Sequence, residues 1–260
     1  MTAGVTSLPP APSKGRVTAE ILIVLGLSLG ASAAYSVVSF ANKVTRSTAL
    51  SEQTTSINNS LSERPLFDLI YQLMAVLFDL VPVVLVVFLL WQATRPRLGR
   101  LGIDFTRPGR DSLWGLGLAL VIGAGGIGIY LGSLALGVNT AVSASNLDAH
   151  AWTIPVLILR AFDAGITEEV IVIGYLFARL RDLGWRNWHI ILGTALLRGT
   201  YHLYQGVGGF IGNLIMGLIF GWLYHRYGRL LPFVIAHILI DAAIFIGYPW
   251  AAATFPALLG

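Results

Sequence analysis

The sequence predicts an all-α polytopic membrane protein, a transmembrane helical bundle of seven or eight membrane segments. Three observations lead there. Of 260 residues, 55% are hydrophobic and only 12% charged, and the mean hydropathy is +0.74, well outside the range of a soluble domain. Apolar runs recur that are long enough to cross a hydrocarbon core, which takes roughly 20 residues as a helix. The basic residues are confined largely to alternate loops.

Residues 1–17 open with a Pro- and Ala-rich stretch and read as a disordered cytoplasmic N-terminus. The first span is expected over 18–41. Lys14, Arg16, the apolar run from Ile21 and the triplet Ala31-Ser32-Ala33 imitate a signal peptide, with cleavage near residue 33. The run continues to Phe40, which favours a retained helix. Residues 43–65, rich in Ser, Thr and Asn, form a polar external loop, and a second span over 66–92 completes the N-terminal helices of 18–110. Further spans are expected over 112–137, 152–179, 188–204, 207–225 and 230–248, followed by a tail at 249–260. The segments 188–204 and 207–225 are short and separated by Gly206, Gly208 and Gly209, which suggests tilted or re-entrant helices.

Twelve basic residues lie on one set of loops: Lys14 and Arg16, five arginines in 95–110, Arg179, Arg181 and Arg186, then Arg226 and Arg229. The other set holds only Lys43, Arg46 and Arg64. This positive-inside pattern predicts a cytoplasmic N-terminus and an external C-terminus in the plasma membrane. The pI near 9.6 then reflects topology, and no nucleic-acid partner is expected. With no cysteine, disulfides, thiolate chemistry and Cys-ligated metals are excluded.

The ionisable groups inside these spans are Asp79, Arg160, Asp163, Glu168, Glu169, Arg198, His202, His237 and Asp241. A carboxylate at the bilayer centre costs at least about 2.5–3.5 kcal/mol, so each needs a reason. Arg160 and Asp163, three apart on one helix, read as an ion pair, and Asp79 as a structural partner for an arginine. The others are harder to dismiss. His237 and Asp241 in "VIAHILID" share a helix face, as do Arg198 and His202 in "LLRGTYHLYQG". With Glu168 and Glu169, three helices of the second half present polar groups toward a common point. One difficulty is depth: from the cytoplasmic helix ends, His237 and His202 differ by roughly 10 Å.

A glutamate beside a histidine can activate water as a general base, while a second histidine and a side-chain donor can stabilise an oxyanion. Together these describe acyl hydrolysis without a covalent intermediate. Alternatively Glu, His and His supply three zinc ligands, although neither a His-Glu-x-x-His helix nor a cysteine supports that. A proton-coupled transporter accessory would use the same residues as a relay. A catalytically silent scaffold would instead bind a partner helix through small-residue faces such as Gly217 and Gly221.

At these residues the chain resembles the CPBP family of intramembrane proteases, related to the type II CAAX-prenyl endopeptidases and including abortive-infection and bacteriocin-processing proteins. The family pattern is Glu-Glu-x-x-x-Arg, then Phe-x-x-x-His, then His-x-x-x-Asn/Asp. Here "EEVIVIGYLF", "RGTYH" and "HILID" match it in order over about 150–248. The resemblance implies a membrane peptidase core over 111–248, a membrane-associated peptide or protein substrate and no cofactor. Glu168 would be the water-activating base, assisted by His202. His237 and Asp241 would form the oxyanion and positioning side, and Glu169 would orient the site through a charge partner. Under a zinc alternative the ligands would be Glu168, His202 and His237. The chain departs from the pattern twice: Ile173 stands at the arginine position and Arg198 at the phenylalanine position. Arg198, one turn before His202, is therefore the expected partner of Glu169.

Overall fold

The computed structural model describes residues 13–254, so the stretch 1–12 and the last six residues of the expected tail lie outside the described residues. Helix α1 (Lys14–Gly26) begins ahead of the expected span, and the Ser13 hydroxyl accepts a hydrogen bond from the Arg16 amide. Residues 14–17 are thus helical. After a break at Leu27 and Ser28 comes α2 (Leu29–Val44), bent 54° from α1. Helices α3 (Pro65–Asp79) and α4 (Val81–Leu90) make one 26-residue apolar stretch. It is interrupted at Leu80 beside Pro82, which has no amide hydrogen to donate. Helix α5 (Pro108–Ala135) starts on a proline, with Asp111 in its first turn.

Helix α6 (Thr153–Glu168) continues through a π-helical segment, Glu169–Tyr175, into α7 (Leu176–Asp182). Then follow α8 (Asn187–Tyr201), the short turn Leu203–Gln205, α9 (Val207–Tyr227) and α10 (Leu231–Thr254). Helix α10 runs into the segment expected to be a tail.

The bundle is not purely helical. Strands β1 (Thr54–Asn59) and β2 (Ala141–Asn146) pair in parallel, from Thr54 opposite Ala141 to Asn59 opposite Asn146. The strands come from two loops separated by the α3–α5 helices, so no local alternation announces them; tertiary pairing makes the sheet.

Loop contacts sort the chain into two ends. At one, Arg100 meets Asp182, Arg229 meets Asp104, and the Leu230 amide donates to the Gly102 carbonyl. At the other, β1 meets β2, Asn139 bridges to Gly206, and Lys43 Nζ donates to the Tyr204 carbonyl. The described chain therefore passes between the ends seven times. Among the described residues, only four helical stretches are long and apolar enough to cross a membrane, or five if the bent α1–α2 pair is one span. Two of the seven expected spans fall short for different reasons. Helix α6 has 16 residues before the π segment and carries Arg160, Asp163 and Glu168, while α8 has only 15 residues. Helix α9, expected to be short, has 21.

The α6–π–α7 helix forms the centre: every residue from Glu168 to Arg179 is buried, as a helix surrounded on all sides must be. Val24 of α1, Val86 of α4, Ile191 of α8, Phe220 of α9 and Phe233 of α10 join its core. Arg179 is held to Glu20 of α1 by two hydrogen bonds, of 2.6 and 3.0 Å. Arg229 joins α5 and its preceding loop through Asp111 and Asp104, the Asp104 contact being 2.8 Å.

Hydrogen bonds from the hydroxyl and amide of Thr106, and then the Arg229 guanidinium, hold the Asp104 carboxyl down at about 2. A depressed folded value means stabilisation that is complete above the unfolded value near 4 and lost as pH falls toward 2. Asp104→Asn should therefore cost about 1 kcal/mol at pH 7. That deficit should shrink toward zero near pH 2, as read by thermal melts of the two proteins in detergent.

Candidate active site

Two close helix contacts set the site before any polar group is considered. At Gly165 of α6, a Cβ would fall 2.6 Å from Ile238 Cγ1, so only glycine lets α10 approach here and bring His237 beside the two glutamates. At Gly217 of α9, a Cβ would fall 2.8 Å from the Ala195 backbone, which seats α8 tightly and fixes Arg198 one turn on. Gly221 likewise faces Phe177 and Ile191. Both glycines suggested as a docking face for a partner helix are thus used up within the bundle.

The depth difference expected between His237 and His202 does not arise. Gly174 lies against Leu230 and Leu101, so α10 starts level with the end of the π segment and not with the end of α7. Asp182, where α7 ends, is eight residues further out, about 12 Å at 1.5 Å per residue. Loop ends at one face of the bundle are not a level plane, and counting residues from them misplaced α10.

Within this frame the expected residues converge. Glu168 Oε2 lies 3.6 Å from His202 Nε2 and 3.9 Å from His237 Nε2, and accepts a 2.6 Å hydrogen bond from the Tyr201 hydroxyl. His237 Nε2 is 3.6 Å from Asp241 Oδ2. Glu169 Oε1 accepts from Arg198 Nη2 at 2.6 Å and contacts His237 Nδ1 at 2.8 Å. Arg198 and Glu169 have no solvent exposure at all, and the guanidinium also lies 5.8 Å from the Phe220 ring centroid. His237 thus joins the two glutamates, with one ring nitrogen toward each.

Several buried atoms here have no hydrogen-bond partner: both ring nitrogens of His202, Glu169 Oε2, and Arg198 Nε and Nη1. Unsatisfied buried polar groups are rare and mark sites of strain, ligand or water. The 3.6 Å gap from Glu168 to His202 exceeds a direct hydrogen bond and suits a bridging water or a substrate oxygen.

Asp79, Arg160 and Asp163 form a separate structural cluster. Arg160 reaches Asp79 at 3.2 Å and Asp163 at 3.6 Å, and also donates to Gln72 Oε1. Ion pairing accounts for all three, as expected of Arg160 and Asp163 from their spacing and of Asp79 as the partner of an arginine.

Two features escaped the sequence reading. Tyr201 looks like one more aromatic in an apolar helix; its signal was its position three residues after Arg198 and next to His202. The π segment had no signal at all. Such segments are rare and often mark functional sites, and this one begins at Glu169 itself. Among the described residues, no group of three His, Cys, Asp or Glu side chains is arranged to hold a metal ion.

Residues 150–243, from just before α6 to the middle of α10, match the family model of the type II CAAX prenyl endopeptidase Rce1-like proteins. No curated protein and no solved structure matches the chain. The matched segment contains Glu168, Glu169, Arg198, Tyr201, His202, His237 and Asp241, which meet in one largely buried cluster. This match, over about a third of the chain, supports the resemblance of residues 150–243 to the CPBP/CAAX protease-like family, a family of membrane proteases.

Proposed function

We propose that the protein is an intramembrane endopeptidase that hydrolyses a peptide bond of a membrane-associated substrate with water activated by Glu168. The observation that carries this reading is the meeting of Glu168, His202, His237 and Asp241 in a largely buried cluster, with gaps of 3.6–3.9 Å. Glu168 takes a proton from a water held between it and His202, and the hydroxide adds to the scissile carbonyl. His237, steadied by Asp241 and Glu169, donates to the developing oxyanion. Tyr201 orients the Glu168 carboxylate. The transferred proton then passes to the leaving amine. In this reading no zinc takes part, because Glu168 and the histidines are needed as base and donors. The enzyme sits in the plasma membrane with its N-terminus and basic end in the cytoplasm.

Arg198 supplies the charge that Glu169 needs. Relatives with the family pattern place an arginine one turn after the glutamates; this chain has Ile173 there, buried in the core. We infer that the charge has been transposed to α8.

Glu168→Gln should lower the cleavage of a quenched peptide library in detergent by about 10²–10⁴-fold, and Tyr201→Phe by about tenfold, with folding unchanged. A chelator should leave the parent's rate intact. Rate loss under chelation, restored by zinc alone, would reverse the assignment and make Glu168, His202 and His237 ligands. Proton-driven flux in liposomes without cleavage would favour the transporter reading instead.

Arg198→Leu leaves a buried Glu169 without its cation and should cost about 3–5 kcal/mol. Ile173→Arg combined with Arg198→Phe restores the family arrangement and should recover part of that loss and part of the activity. Thermal unfolding in detergent, alongside cleavage, checks both. A fully stable Arg198→Leu protein would sink the transposition.

A further inference from the structure

A half-open groove of about 730 Å³ lies at the basic end of the molecule, at the opposite end of α8 from His202. It is walled by the start of α8 and the end of α9. Arg186, His189, His225 and Arg226 line it, and no carboxylate does. In a neighbouring groove of about 290 Å³, Arg100 is neutralised by Asp182 at 2.6 Å. Arg179 and Arg229 are likewise engaged by Glu20, Asp104 and Asp111. Arg186 and Arg226 form no ion pair among the described residues; Arg226 lies only over the Tyr227 ring, at 5.5 Å. Helix α8 also begins here with no side chain capping its first amides, so the positive end of its dipole adds to the field.

The same groove has an apolar continuation. Trp188, Leu192 and Leu196 follow one another at four-residue spacing along α8, exposed at 61%, 53% and 53%. On α9, Ile215 and Trp222, seven apart, are exposed as well. Tryptophan is favoured at the membrane–water boundary, and the leucines and isoleucine lead from it toward the hydrocarbon.

The geometry points to a binding site for one anionic phospholipid, its headgroup phosphate in the groove and its acyl chains along the exposed stripes of α8 and α9. A soluble phosphate compound would use the cationic groups but gain nothing from the stripes. The basic end that sets orientation thus also carries a specific ligand site. The inference is independent of the peptidase reading.

The test uses the full chain reconstituted in phosphatidylcholine nanodiscs with added phosphatidylglycerol, bound lipid being counted by native mass spectrometry. One tightly retained phosphatidylglycerol is expected. Each interfacial arginine contributes enough that Arg186→Gln with Arg226→Gln should weaken retention about thirtyfold. Arg97→Gln, a charge removed from another loop of the same end, should leave retention unchanged. Equal retention by the double variant and the parent overturns the site, and so does an equal loss in the Arg97 variant. Displacement of the lipid by millimolar inorganic phosphate would overturn the lipid assignment in favour of a soluble phosphate ligand.

Discussion

Arg198 and Glu169 lie wholly out of contact with solvent, 2.6 Å apart, and most of the second half of the molecule is arranged so that they can be. Neither charge is tolerable alone in an apolar bundle. The desolvation of such a pair is offset only with close geometry and further hydrogen bonds. Glu169 has the close geometry and one further contact, its Oε1 also meeting His237, while its Oε2 and Arg198 Nε and Nη1 stay without a partner. One oxygen therefore joins the central helix to α8 and α10. The glycines that let these helices come close are part of the same arrangement: without Gly165 and Gly217 the side chains would not reach. Glu168, one residue earlier, is left to face two histidines and a tyrosine rather than a permanent cation. Adjacent carboxylates with different partners can do different work.

Much of this was legible in the sequence, and the parts that were not have physical reasons. Hydrophobic runs gave the helices, because burial in lipid leaves a strong compositional trace. Charges in hydrocarbon are costly, so Glu168, Glu169, Arg198, His202, His237 and Asp241 stood out, and the absence of an arginine at 173 pointed to Arg198. Tyr201 did not stand out, since tyrosine costs little in an apolar helix until its hydroxyl is seen to bond. The π segment, the relative depth of α10 and the β1–β2 pairing depend on contacts between distant segments. Nothing in a local window encodes them. The count of spans suffered similarly, because apolar length does not reveal that α8 stops at 15 residues.

The family match begins at residue 150, yet the earlier helices are not simply appended. Glu20 of α1 accepts from both Arg179 and the Tyr175 hydroxyl. Lys43, at the end of α2, donates to the carbonyl of Tyr204, two residues beyond His202. The first two helices thus brace the central helix at one end and the α8–α9 turn at the other. These contacts place the N-terminal part as a support for the site, which lies entirely in the later segment.

The Glu20–Arg179 contact also has a consequence for biogenesis. The partners are 159 residues apart in sequence, and translation proceeds at about 5–20 residues per second, so the glutamate emerges roughly 8–30 s before its arginine exists. During that interval α1 carries a carboxylate without its partner arginine. The contact that braces α1 against the central helix can therefore form only after α7 has been made.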